Sequence, residues 1–163
     1  MQFRNPGHAL RWAYETTNRP IVKISSVNSM RGPSGHGELT PQDRHAQAAL
    51  IMGLCERALN SLQLAYVKAQ FGRDSSGFDL LVHHLAANFG TGLHSRRALD
   101  AIIRGYCGDK VGLRELQRNM SVGFLKAASL RNRGYDLFDH IHQQVIDVLW
   151  HEMTKSNLLV DVA

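Results

Sequence analysis

Nine histidines are the first residues of this chain whose type could do chemistry, and their spacing argues against a metal site. His83 and His84 are adjacent, so on a helix their side chains diverge by about 100° and do not converge on one ion. His140 and His142, two apart, diverge likewise. His151-Glu152 runs on into Met153-Thr154-Lys155-Ser156, which is not the HExxH pattern of a zinc hydrolase. The glycines from Arg31 to Gly37 lack the strand and helix that frame a phosphate cradle. Neither a GxxxxGKS/T loop nor a GxSxG elbow occurs. Cys55 and Cys107 lie far apart with no CxxC pair, so neither a zinc ribbon nor a disulfide framework is expected. Both read as small hydrophobes in helical runs. No catalytic residue, metal or cofactor is expected, and the chain does not read as an enzyme.

The side chains with a usable pattern are the cations. The 163 residues hold 19 Lys and Arg against 14 Asp and Glu, a net charge of +5, and this excess is unevenly placed. Residues 1–33 hold Arg4, Arg11, Arg19, Lys23 and Arg31 against Glu15 alone, and residues 34–109 are balanced. Residues 110–133 hold Lys110, Arg114, Arg118, Lys126, Arg131 and Arg133 against Glu115 alone. Beyond residue 134 the balance turns acidic, with Asp136, Asp139, Asp147, Glu152 and Asp161 against Lys155. A basic block concentrated in so short a segment is the electrostatic footprint of a nucleic-acid-binding surface. The acidic tail would repel phosphate and should lie outside it. The alternative is a solvated helix face.

The basic segment Leu113–Arg133 also carries the spacing of a helix-turn-helix. Counting Leu113 as first, that motif needs apolar side chains at the first, fourth, eighth, tenth, fifteenth and eighteenth places. The sequence supplies Leu113, Leu116, Met120, Val122, Ala127 and Leu130. Two places depart from the usual pattern. Gln117 stands where a small residue is common at the helix crossing, and Ser121 stands where the turn commonly has glycine. The second helix opens at Gly123 or its neighbour. Its outer face then carries Lys126, Ser129, Asn132 and Arg133, with Arg131 at the edge. Arg and Lys can read guanine and Asn can read adenine in a major groove. Arg114 and Arg118, one turn apart on the first helix, would meet phosphates. A second segment, Leu85–Ile103, also reads as helix, turn and helix with Arg96 and Arg97 on its second helix, but its turn is longer and its apolar spacing poorer.

The remaining chain must position that segment. Composition (44% hydrophobic, 20% charged) is that of a globular chain, and the pattern is mostly α. Asn5–Thr17 reads as a short amphipathic helix with Ala9, Leu10, Ala13 and Tyr14 on its apolar face, ended by Pro20. Residues 21–38 read as a basic arm or loop rich in Gly, Pro and Ser. A boundary is therefore drawn between an N-terminal part, 1–38, and a helical DNA-binding domain, 39–163, with the helix-turn-helix near 111–134. Thr40 is the expected N-cap of the next helix, with Pro41 at its first position and Asp43 favouring its positive end. Further helices are expected at Ser61–Phe71, Phe78–Phe89 and, after a Ser95 cap, Arg96–Cys107. Each ends at a glycine. A terminal helix is expected to begin after Gly134, with a stripe formed by Leu137, Phe138, Ile141, Val145, Val148, Leu149 and Met153. Trp12 is placed exposed on the arm and Trp150 packed in that last helix. No apolar run is long enough to span a membrane. MQFRNPGHALRW lacks the apolar core of a secretion signal. The expected location is cytoplasmic, at the nucleoid.

Leu39–Gly72 followed by a late helix-turn-helix and a long trailing helix resembles a rebuilt region 4 of a sigma factor. In this it is similar to the Q-type antitermination factors of lambdoid phages, in particular the short zinc-free kind that includes the AlpA-type activators of lysis cassettes. The likeness covers residues 40–153 and rests on overall pattern; the cysteine cluster of the zinc-bearing members is missing. It implies a protein that binds double-stranded DNA at a late promoter and engages paused RNA polymerase through its sigma factor. It would then travel with the polymerase past terminators. The basic N-terminal arm, residues 1–38, would suit nascent RNA or polymerase. Two other functions fit the residues. One is a conventional helix-turn-helix repressor or activator, dimeric through its last helix; the other is a helical interaction protein that touches no nucleic acid.

Overall fold

In the computed structural model, residues 2–19, 39–89 and 95–160 are described. The arm of residues 20–38 with Pro20, the turn at 90–94 within the Leu85–Ile103 segment, and the last residues of the tail lie outside them. The described residues are mostly helical, and their only β-type pairing is an isolated bridge. The helices are α1 (Pro6–Thr17), α2 (Pro41–Ala58), α3 (Ser61–Gly72), α4 (Phe78–Phe89), α5 (Arg96–Tyr106), α6 (Leu113–Met120) and α7 (Phe124–Lys155), with a 3-10 turn at Ser75–Gly77 before α4. By packing the chain divides into two units. One comprises Met1–Arg57 with Trp150–Ala163, and the other Ala58–Leu149. The compositional boundary at 38/39 falls inside the first.

In the first unit, Asn5 caps α1 through its side chain, which accepts from the His8 N–H at 2.8 Å, and Pro6 takes the first helical place. Ala9, Leu10, Ala13 and Tyr14 are buried, as their spacing predicts. Phe3 is fully buried and bridges Leu159: its N–H donates to the Leu158 carbonyl at 2.8 Å, and its carbonyl accepts from Val160 at 2.9 Å. Trp12 lies against the Phe3 ring at 5.2 Å, while Trp150 is 44% exposed. Trp12 is thus half-buried against an apolar wall that the composition of the arm did not foretell, and Trp150, expected to pack, is exposed. Helix α2 starts with a reciprocal cap. The Thr40 hydroxyl accepts from the Asp43 N–H at 3.1 Å, and the Asp43 carboxylate accepts from the Thr40 N–H and hydroxyl. Ala48, Ile51, Leu54 and Cys55 form its buried face, and burial pushes the Cys55 thiol up to about 12.

The second unit is built on α3, α4, α5, α6 and α7 as far as Leu149. Asn60 and Gln63 form a capping box at the start of α3, each side chain accepting from the other's N–H. Helix α3 packs on α4, α4 on α5, and α5 on α6. Tyr66, Tyr106, Tyr135 and Phe138 gather α3, α5 and α7 into one aromatic cluster, with ring centroids 5.1–6.3 Å apart. Two of its hydroxyls have polar partners. The Tyr106 hydroxyl donates to Asp139 at 2.7 Å, and the Tyr66 hydroxyl lies 3.0 Å from His142 Nδ1. Burial, and next the bond to Asp139, drive the Tyr106 hydroxyl's pKa upward.

The break expected at Gly134 is absent: α7 runs unbroken from Phe124 to Lys155, so the second helix of the Leu113–Arg133 segment and the terminal helix are one. Gly134 is buried, and a Cβ there would lie 2.7 Å from Ile102 Cγ2 on α5. The residue permits close approach of two helices and does not end one. Of the glycines expected to close helices, Gly108, at φ +100, follows α5, whereas Gly72 is the last residue of α3 and Arg73 takes the left-handed position after it; Gly90 lies outside the described residues. Ser121 after α6 and Asn157 after α7 are also left-handed.

Candidate nucleic-acid interface

Helix α6, the turn and the start of α7 place the basic segment. At the end of α6, Ser121 sits in the left-handed region (φ 53, ψ 40). Its N–H donates to the Arg118 carbonyl at 3.3 Å, and the Val122 N–H donates to the Gln117 carbonyl at 3.4 Å. This is the Schellman arrangement, which satisfies carbonyls that the helix end would otherwise leave unpaired. Helix α7 begins at Phe124, three residues after Ser121. The six positions required by spacing are inside or half-inside: Leu116, Met120 and Ala127 are buried, and Leu113, Val122 and Leu130 are half-buried. Gln117 at the crossing is half-buried.

The predicted contact residues divide into two groups. Arg114 and Arg118 on α6, and Lys126, Ser129 and Asn132 on α7, are exposed. Among the described residues none of the three cations has an ion pair. Arg131 and Arg133 are engaged locally. The Arg131 guanidinium lies 5.7 Å from the Tyr135 ring centroid and reaches Asn132 Oδ1 at 3.3 Å. The Arg133 guanidinium donates to the Asn88 carbonyl at 2.6 Å and stacks over Phe89 at 5.5 Å. It therefore closes the C-terminal end of α4, where a cation satisfies the open carbonyls and the helix dipole. The one acidic residue of the segment, Glu115, faces Arg104 of α5 at 3.8 Å. Among the described residues Arg114, Arg118 and Lys126 thus have no counter-charge in salt-bridge range.

Two residues the spacing argument passed over stand at the head of α7. Leu125 is 83% exposed and Phe124 50%. Their signal was present in the sequence: with Ala127, Leu130 and Gly134 on the inward face, helical geometry turns Leu125 outward. The second candidate segment is differently disposed. Arg96 of α5 pairs with Asp79 of α4 and lies 3.8 Å from Asp100, while Arg97 is exposed.

Elsewhere the reactive side chains are quiet. Burial pushes the Cys107 thiol up to about 11. His83 bonds through Nδ1 to the Asp79 carbonyl one turn earlier. Among the described residues no three of His, Cys, Asp and Glu gather where they could hold a metal ion. No described helix is long and apolar enough to cross a membrane. Comparison with protein-family models gives no match, and comparison with curated proteins gives none.

Proposed function

We propose that this chain binds double-stranded DNA through α6, the Ser121 turn and the first turns of α7, and acts there as a transcription antitermination factor. The observation that carries the DNA reading is the set of exposed, unpaired cations Arg114, Arg118 and Lys126, whose only acidic neighbour in sequence is engaged by Arg104. In this reading α6 lies across the backbone with Arg114 and Arg118 on phosphates. Helix α7 presents Lys126, Ser129 and Asn132 to base edges. Arg133 ties α7 to the end of α4, and Arg131 lies over Tyr135 one turn along its own helix, so both are engaged locally and touch bases less than the other three. Antitermination rests on the likeness to the Q-type factors: engagement of paused RNA polymerase and its sigma factor, with the basic N-terminal part, residues 1–38, facing nascent RNA or polymerase.

The test is genome-wide crosslinking of the tagged protein in its host, with Arg118→Ala/Lys126→Ala as control. Arg133→Ala is a poor control because it also uncaps α4. Signal that starts sharply at a promoter and spreads downstream through terminators, and is lost in the double variant, supports antitermination. A single narrow peak identifies a promoter-bound regulator instead. Absence of enrichment overturns both.

A further inference from the structure

We propose that Leu125, with Phe124 beside it, recognises thymine through its C5-methyl group. The inference rests on the duplex-binding reading above and extends it to residues that carry no charge or hydrogen-bonding group. About 100° separates successive helical residues, so Leu125, Ser129 and Asn132 fall within an arc of about 60°, opposite the arc of Ala127, Gly134 and Phe138. The first arc is exposed and the second buried. Leu125 therefore stands on the same outward face as the polar readers, one turn nearer the helix start. Recognition helices meet base edges with their N-terminal residues, which puts Leu125 deepest in the groove, with Phe124 at its margin.

A leucine offers no donor or acceptor to a base edge. The one apolar group that B-DNA displays in its major groove is the thymine methyl. Charge complementarity argues for the same occupant, because the unpaired cations Arg118 and Lys126 flank the apolar pair in sequence on either side of the turn. A duplex supplies phosphates for the cations and methyls for the leucine within one surface. A neutral apolar partner would leave the cations unanswered.

The experiment uses the full chain and a random-sequence duplex pool amplified with either thymidine or deoxyuridine triphosphate; deoxyuridine lacks only the methyl. The thymidine pool should converge on sites with fixed thymines. Replacing such a thymine by deoxyuridine should weaken binding about 4-fold per methyl, the factor expected for one buried carbon. Leu125→Ala should erase that ratio, while Leu125→Met, which keeps an apolar tip, should retain it. Neither variant should change the salt slope, since neither alters a phosphate contact. Salt-dependent binding that is indifferent to the methyl, or a ratio that survives Leu125→Ala, overturns the inference and leaves the duplex reading standing. No salt-dependent duplex binding in either pool overturns both.

Discussion

The pair α4–α5 and the pair α6–α7 both bring arginines to a helix surface, and they differ in what answers the charge. On α5, Arg96 is held by Asp79 and Asp100 and Arg104 faces Glu115, leaving Arg97 alone exposed without an ion pair among the described residues. On α6 and the head of α7, Arg114, Arg118 and Lys126 have no ion pair among the described residues. Neutralised surface charge contributes little to long-range attraction, whereas uncompensated charge on neighbouring helices adds up. The contrast also explains the use of Glu115. It is the single acid in the basic segment, and it faces Arg104 of α5.

The strongest way to break the contrast is to unseat α6. Leu116 is 1% exposed, and Leu116→Ala should cost about 2–5 kcal/mol through lost burial and the cavity left behind. The measurement is the urea midpoint, with Leu125→Ala as the exposed comparison expected to stay within about 0.5 kcal/mol. If both variants behave alike, α6 is not docked as described. The charge itself is tested next. Arg114→Ala/Arg118→Ala should lower the slope of log affinity against log salt by about two, one for each phosphate contact. Arg96→Ala should leave the slope nearly unchanged, because that guanidinium already has its carboxylates. Equal effects at both places would erase the difference between the pairs.

Gly134 gives a prediction whose sign is informative. In an exposed helix interior Gly→Ala stabilises by about 1 kcal/mol. Here the added methyl meets Ile102, which is fully buried and cannot move aside freely. Overpacking of this kind costs about 1–3 kcal/mol. Gly134→Ala should therefore destabilise in a thermal or urea melt, and stabilisation would show that α5 and α7 do not approach closely there.

That glycine also marks where the sequence was hard to read. The apolar stripes of α1 and α7 and the caps at Thr40 and Ser95 were legible, because periodicity and capping chemistry act over a few residues. Gly134 and Gly108 carry the same local signal but do opposite things, one inside a helix and one just after it. The difference is set by Ile102, 32 positions away from Gly134 in the chain. The outward set Arg114, Arg118, Lys126, Ser129 and Asn132 was legible from the 3.6-residue repeat. The local engagement of Arg133 was not, since it depends on where the end of α4 lies. The cover that Phe3 gives Trp12 was hidden for the same reason: a bridge between residues 3 and 159 has no local signature.

The smallest expected effect separates the two connections that flank α6. The link from α5 uses Gly108 in a positive-φ conformation, while the link to α7 places Ser121 at φ 53. A non-glycine residue in the left-handed region costs about 1–2 kcal/mol. Glycine at the same place loses more freedom on folding, by about 0.4–1 kcal/mol. Ser121→Gly should therefore stabilise by only a few tenths to about 1 kcal/mol, read as a small rise in the melting midpoint. Ser121→Val should destabilise, since a β-branched side chain tolerates that conformation poorly. Duplex affinity completes the argument. If the angle between α6 and α7 is what presents Lys126 and Ser129, Ser121→Gly should preserve binding, and Ser121→Val should weaken it at temperatures where the chain remains folded. Unchanged affinity in Ser121→Val would mean that the cations act as a diffuse patch, and the distinction between the two helix pairs would then be one of charge alone.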